Sequence, residues 1–150
     1  MPVVLGPGLL GQIYDGLQNP LPELAKQVGF FLKPGVYING LSTTQQWDFT
    51  PAVKPGDAVE AGDTLGTVPE GIFKHRIMVP FDLPGRYQVE KIASAGDFTI
   101  QDPVATLKAE DDGRTIEVAM LQRWPVKIPI ACYAERLRPE KTMITKTRSI

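Results

Sequence analysis

From Val53 to Val79 the chain alternates short apolar pieces with glycine–aspartate corners. Gly56-Asp57 and Gly62-Asp63 lie six residues apart, with Val59 between them and Leu65 and Val68 after them. Glycine takes positive φ without a Cβ clash, and aspartate hydrogen-bonds nearby backbone amides, so each pair predicts a turn. Apolar pieces this short, bounded by turns, predict brief strands. Trp47 and Phe49 alternate with polar residues up to Pro51, the pattern of a half-buried strand. Ile77, Met78 and Val79 read as a buried strand ended by Pro80. Pro84-Gly85 predicts a turn, and Tyr87, Val89 and, less regularly, Ile92 mark one face of a strand over residues 86–93. Gly96-Asp97 repeats the glycine–aspartate device. Ile100, Val104 and Leu107 then follow it much as Val59, Leu65 and Val68 follow Gly56-Asp57, an internal repeat shifted by about a residue. Asp111-Asp112-Gly113 predicts a hairpin between residues 104–108 and 115–121. The expected product is a small, closed, mainly β barrel.

The two ends read differently. Gly6, Pro7 and Gly8 break a first apolar strand, and residues 9–14 predict another. Asp15-Gly16 and Asn19-Pro20 are turn signals. Residues 22–28 predict one or two helical turns, with Pro22 at the first helical position and Gly29 at the stop. Residues 30–38 are apolar except for Lys33-Pro34-Gly35. Beyond Trp124-Pro125, a basic stretch over residues 127–148, punctuated by Pro129 and Pro139, reads as a connector. The expected division is therefore a flank at 1–24, a barrel at 25–124 and a connector at 125–150.

Composition narrows the function. The chain has 150 residues, 43% of them apolar, enough for one core. Its 17 acidic and 16 basic residues nearly cancel, which leaves no electrostatic footprint for nucleic acid. Fourteen glycines and fourteen prolines fit a turn-rich β protein. The single cysteine, Cys132, excludes an internal disulfide and fits a reducing compartment. No apolar run approaches the roughly 20 residues of a spanning helix, and the N-terminus lacks the pattern of an export signal. A cytosolic location is expected.

Few residues invite chemistry. Asp57, Asp63, Asp97, Asp111 and Asp112 each adjoin a turn residue, which accounts for them without a calcium or acid–base role. His75, the sole histidine, has no ligand-spaced partner and is expected to cover a strand edge. Cys132, beside Ile130 and Ala131, reads as a small buried apolar side chain. Trp47 and Trp124 read as core residues, with partner anchoring as the alternative. Gly6-Pro7-Gly8 with Gly11 is not the phosphate loop G-x-x-x-x-G-K-[ST], which is absent from the whole sequence.

The run V-K-P-G-D-x-V-x-x-G-D-x-L, followed by E-x-x-x-K, I-M-V-P and a further G-D, resembles the barrel-sandwich hybrid of biotinyl and lipoyl carrier domains. In those domains a hairpin tip presents one modified lysine, and Lys74 lies near the expected tip. Phe73 and His75 flank it, however, instead of the residues the carriers place there. The resemblance thus implies the fold, and leaves a carrier role as an alternative function.

A longer resemblance runs through all 150 residues. L-G-P-G-L-L-G-Q-I-Y-D-G-L-Q-N-P-L, from Leu5, is similar to the segment opening the nucleotide-binding domain of rotary ATPase subunits. Q-R-W-P-V from Gln122 and E-R-L-R-P-E-K-T-M-I-T-K-T-R-S-I from Glu135 resemble the stretch leading into their phosphate loop. W-D-F-T-P, H-R-I-M-V-P and G-D-F-T-I between them are similar to the insertion of the catalytic A subunit of vacuolar/archaeal-type ATPases. This resemblance implies a piece of a subunit that binds ATP or ADP with Mg elsewhere, in a complex coupling ATP to H+ or Na+ transport. It implies B subunits and peripheral-stalk subunits as partners, a cytoplasmic site peripheral to the membrane, and a structural docking role for the barrel. It places no catalytic, cofactor-binding or metal-binding residue on this sequence. Residues 33–46 and 70–76 are both open as stalk contacts. The family's usual T-G-Q-R is Thr145-Lys146-Thr147-Arg148 here, so Lys146 stands at a glycine position.

Overall fold

A computed structural model describes residues 2–29 and 38–132 of the chain. The Lys33-Pro34-Gly35 interruption, the basic stretch from residue 133 onward and Lys146 lie outside the described residues. The elements are β1 (Pro2–Leu5), α1 (Leu21–Val28), β2 (Gln46–Pro51), β3 (Ala58–Glu60), β4 (Thr64–Glu70), β5 (Phe73–Met78), β6 (Arg86–Ile92), β7 (Gly96–Thr99), β8 (Pro103–Ala109), β9 (Thr115–Ala119) and β10 (Gln122–Pro125). The chain is mainly β, as expected. Closure is the difference: the strands form two open four-stranded sheets, β5-β4-β2-β7 and β3-β6-β8-β9, and a separate β1-β10 ribbon.

Corner chemistry sets this path. In Lys54-Pro55-Gly56-Asp57 the Asp57 amide donates to the Lys54 carbonyl at 3.1 Å, and the Asp57 carboxylate accepts from the Lys54 amide at 2.8 Å. Glu60-Ala61-Gly62-Asp63 repeats the arrangement at 3.0 and 2.9 Å. Gly56 and Gly62 have φ of 96° and 89°, the value a type II turn demands at its third residue. A third corner of this kind exists, but not at Gly96-Asp97. Those two residues begin β7, and Asp97 lies opposite Asp48 of β2. The corner is Thr99-Ile100-Gln101-Asp102, where the Asp102 carboxylate accepts from the Thr99 amide and hydroxyl at 2.7 and 2.8 Å. Asp102, not Asp97, is therefore the counterpart of Asp63.

With that anchor the repeat becomes regular. β4 and β8 have seven residues each, with a bulge at the same place, Thr64/Gly66 and Pro103/Ala105. Leu65 and Val68 of β4 match Val104 and Leu107 of β8. Val59 matches Phe98 rather than Ile100. A further bulge between Val89 and Lys91 in β6 explains why Ile92 falls out of the Tyr87–Val89 alternation. Each half lends its short strand to the other: β3 pairs with β6, and β7 pairs with β2.

Two cores result, and both halves feed each. One contains Val59, Leu65, Val79, Tyr87, Val89, Leu107 and Val118; the other contains Trp47, Phe49, Val68, Ile77, Ile100, Val104 and Met120. Tyr87, Phe49, Leu65, Leu107 and Val68 are fully buried, each side chain contributing roughly 1.5–3 kcal/mol. In the flank, residues 9–14 form no strand; only Tyr14 makes an isolated bridge, to Pro20. α1 begins at Leu21, one residue before expectation, and ends at Gly29, whose φ is 68° and whose amide donates to the Ala25 carbonyl at 2.9 Å.

Gly66 is the position where the repeat is tightest. A Cβ there would collide with the Phe49 ring and stand 2.8 Å from the Thr50 carbonyl oxygen, whereas its counterpart Ala105 carries a Cβ within the core. Gly66→Ala is expected to cost about 1–3 kcal/mol, and Ala105→Gly only about 1 kcal/mol, both measured from urea unfolding midpoints. At the third corner, the Thr99 amide and then the Thr99 hydroxyl hold the Asp102 carboxyl below its usual range. A depressed folded value means that the corner is favoured above the ordinary carboxylate pKa and loosens as pH falls through the lower folded one. The Thr99 amide resonance should therefore move on acidification below about pH 4, and stay fixed over that range in Asp102→Asn.

Candidate functional site

The residues that invited chemistry are scattered by the fold. Asp57 and Asp63 close corners, Asp112 accepts the Arg114 amide at 2.9 Å in the β8–β9 hairpin, and Asp97 sits within β7. Among the described residues no three His, Cys, Asp or Glu side chains converge as a metal site would need. Cys132 is half-buried, with its carbonyl against Gly62 at the second corner. Lys74 is exposed on β5 opposite Pro69, so the two-residue β4–β5 tip is Gly71-Ile72 and the lysine stands behind it. An open groove of about 690 Å³ beside α1 is lined by Gln12, Tyr14, Glu23, Gln27 and Ser42 among others. Its one carboxylate, Glu23, is paired with Lys26 at 2.8 Å.

Polar groups do converge where the flank meets the barrel. Glu70, the last residue of β4, points the same way as Val68, toward the sheet's inner face, and is only 6% exposed. One carboxylate oxygen accepts the amides of Gly8 and Leu10 at 2.7 and 3.0 Å; the other meets His75 Nδ1 at 2.6 Å. His75 is thus a partner of a buried carboxylate, not merely the cover of a strand edge. Gly8 has φ of 103°, which turns the loop amides toward Glu70. Nearby, the Tyr14 hydroxyl donates to the Gly40 carbonyl at 2.9 Å. Burial first, and the Glu70 charge second, push its phenol above the usual value.

The flank is tied internally as well. Gln18 bridges the amide and carbonyl of Val4, at 2.7 Å each. Asp15 accepts the amides of Leu17 and Asn19 and the Asn19 side chain at 2.8–2.9 Å. Desolvation raises the Asp15 carboxyl, but these bonds outweigh it and the net shift is downward. On the other side of the junction, the Gln122 side chain accepts the Phe81 amide at 3.1 Å, and Phe81 meets Trp124 edge-on, 5.8 Å between centroids. Trp47 is core, 7% exposed, as expected. Trp124 is not: it is half-buried, and its Nε1 donates to the Ile128 carbonyl at 2.7 Å.

Sequence reasoning missed Glu70, Gln18 and Gln122. The signal for Glu70 was its phase: two residues after buried Val68, it occupies an inward position of the strand. Large apolar side chains left exposed among the described residues are Leu10, Ile13, Leu17 and Leu21 on the flank, Ile72 and Phe73 at the tip, and Val126, Ile128 and Ile130 after β10.

Residues 38–127 match the model of the ATP synthase alpha/beta subunit barrel-sandwich domain. The chain belongs to that family. The match includes both sheets and β10. Relatives extend the likeness into the flanks: the V-type ATP synthase alpha chain of Treponema denticola is 54% identical over 148 residues, 99% of this chain and 25% of that one. V-type ATP synthase alpha chain 1 of Treponema pallidum and the Borrelia hermsii alpha chain are each 53% identical over the same share. The chain thus spans about a quarter of the length of these curated relatives. The barrel-sandwich is accordingly that of an ATP synthase alpha chain and not a biotinyl or lipoyl carrier. No helix among the described residues is long and apolar enough to cross a membrane.

Proposed function

We propose that this chain is the non-catalytic docking module of a V-type ATP synthase alpha subunit whose full length binds ATP or ADP with Mg and couples ATP turnover to H+ or Na+ transport. The observation that carries this reading is the identity of 49–54% with V-type ATP synthase alpha chains over 148 residues. In this reading residues 1–24 and 125–150 belong to the nucleotide-handling body, and residues 25–124 form an outlying arm. The exposed flank residues Leu10, Ile13 and Leu17 then pack on that body or on neighbouring B subunits. The arm reaches peripheral-stalk subunits, and the assembly sits at the cytoplasmic face of the membrane without this chain entering it.

Of the two candidate contact segments, residues 70–76 have the stronger support. Ile72 is 92% exposed and Phe73 45% exposed on a tight hairpin, and apolar side chains held out by a rigid turn make economical contact points. The double variant Ile72→Asp/Phe73→Asp in the full-length subunit should leave folding stability within about 0.5 kcal/mol. It should weaken capture of the stalk subunits at least about tenfold, a loss of roughly 1.4 kcal/mol, as expected of a contact hot spot. ATP hydrolysis by the head without its stalks should be unchanged. Normal stalk capture by this variant would refute the assignment of the tip.

A further inference from the structure

We propose that Glu70 and His75 form a latch that fastens residues 8–10 to the barrel and so fixes the barrel's orientation on its root. The inference rests on the geometry of the junction and does not depend on the ATP-linked reading.

The root is narrow. β1 precedes the flank loop and β10 follows the two sheets, and these two strands share four paired positions, ending at Leu5 opposite Gln122. A two-stranded ribbon is marginally stable alone and twists readily, so its orientation is set by what it packs and bonds against. Two ties brace it. One joins Phe81 to Gln122 and Trp124; the other joins Glu70 to Gly8 and Leu10. The first tie joins the barrel to the ribbon itself. The second reaches past the ribbon to the loop that leads into the flank.

The internal repeat shows what the barrel alone would need at these positions. Val68 lies opposite His75 as Leu107 lies opposite Ile116, and Glu70 ends β4 as Ala109 ends β8. Ala109 and Ile116 simply pack with the first core. One half therefore has an apolar pair at these positions and the other a carboxylate and an imidazole. Burying a carboxylate is costly unless its oxygens are satisfied, and among the described residues every bond to the Glu70 carboxylate comes from the loop or from His75. The loop depends on Glu70 in turn: the Gly8 and Leu10 amides have no backbone acceptor among the described residues. Hydrogen bonds to a charged acceptor are stronger than neutral ones. Release of this carboxylate would free the loop amides together and leave the loop held to the barrel by the packing of Leu9 alone, with Val4, Leu121 and the Phe81 tie still holding the ribbon.

The test uses Glu70→Ala, Glu70→Gln and His75→Ala in the full-length chain, with two readouts. One is amide exchange at Gly8 and Leu10, with Ala52 and Ala93, which directly follow β2 and β6 and donate to Leu65 and Val104, as controls. The other is the spin-label distance distribution between Leu17→Cys and Asp112→Cys in a Cys132→Ser background. Glu70→Ala should speed exchange at Gly8 and Leu10 at least about tenfold, leave Ala52 and Ala93 unchanged, and broaden the distribution. Glu70→Gln keeps an oxygen for the two amides and should restore most of the protection and the narrow distribution. His75→Ala should fall between the two. The latch is overturned if Glu70→Ala leaves Gly8 and Leu10 protected. It is equally overturned if exchange rises alike throughout both sheets, which would make Glu70 an ordinary core group. Faster loop exchange with an unbroadened distribution would overturn the orienting role.

Discussion

Everything in this fold depends on an exchange of short strands. β3 belongs in sequence to the first half but pairs with β6 of the second, and β7 belongs to the second but pairs with β2 of the first. Because side chains alternate along a strand, and bulges re-phase β4 and β8 at matching points, each of these strands supplies both cores. Leu65 enters one and Val68 the other; Val104 and Leu107 enter them in the reverse order. Neither half can complete a core alone. A domain built this way resists shear between its sheets, since sliding one would tear both cores at once.

Against that interlock, departures from the repeat become informative. Gly66 replaces the small side chain of Ala105 because the Phe49 ring fills the space. Glu70 and His75 replace Ala109 and Ile116 where the flank arrives. The tips differ too: Gly71-Ile72 is apolar and exposed, whereas Asp111-Asp112-Gly113 is acidic and held by its own Asx bond. The first half thus carries exposed apolar side chains at its tip and a bonded carboxylate at the flank, while the second keeps the apolar pair.

Much of the fold was legible in the sequence. Gly56-Asp57 and Gly62-Asp63 announced their corners because positive φ and a carboxylate acceptor coincide there, and Tyr87, Val89, Val104 and Leu107 announced their burial by alternation. Gly96-Asp97 misled because the dipeptide resembles a corner without being one. The Asp102 corner has no glycine, and only its bonds to Thr99 reveal it. Residues 9–14 carry strand-like apolar side chains, yet no strand forms there, since the Gly8 and Leu10 amides serve Glu70 rather than a ladder. Trp124 looked like core because large aromatics usually are, but it braces the root. The junction was the least legible part. A glutamate near a hairpin reads as a solvated residue until the segment some sixty positions earlier in the chain is seen to supply its donors.

The interlock makes a direct demand on energetics. The Ala52 amide donates to the Leu65 carbonyl and the Ala93 amide to the Val104 carbonyl, at 2.9 and 2.7 Å, equivalent positions in the two halves. Native-state amide exchange against denaturant concentration should give both the same opening free energy and the same denaturant slope, because one half cannot open while the other holds. Separate opening of the two amides, with different free energies and slopes, would contradict the account.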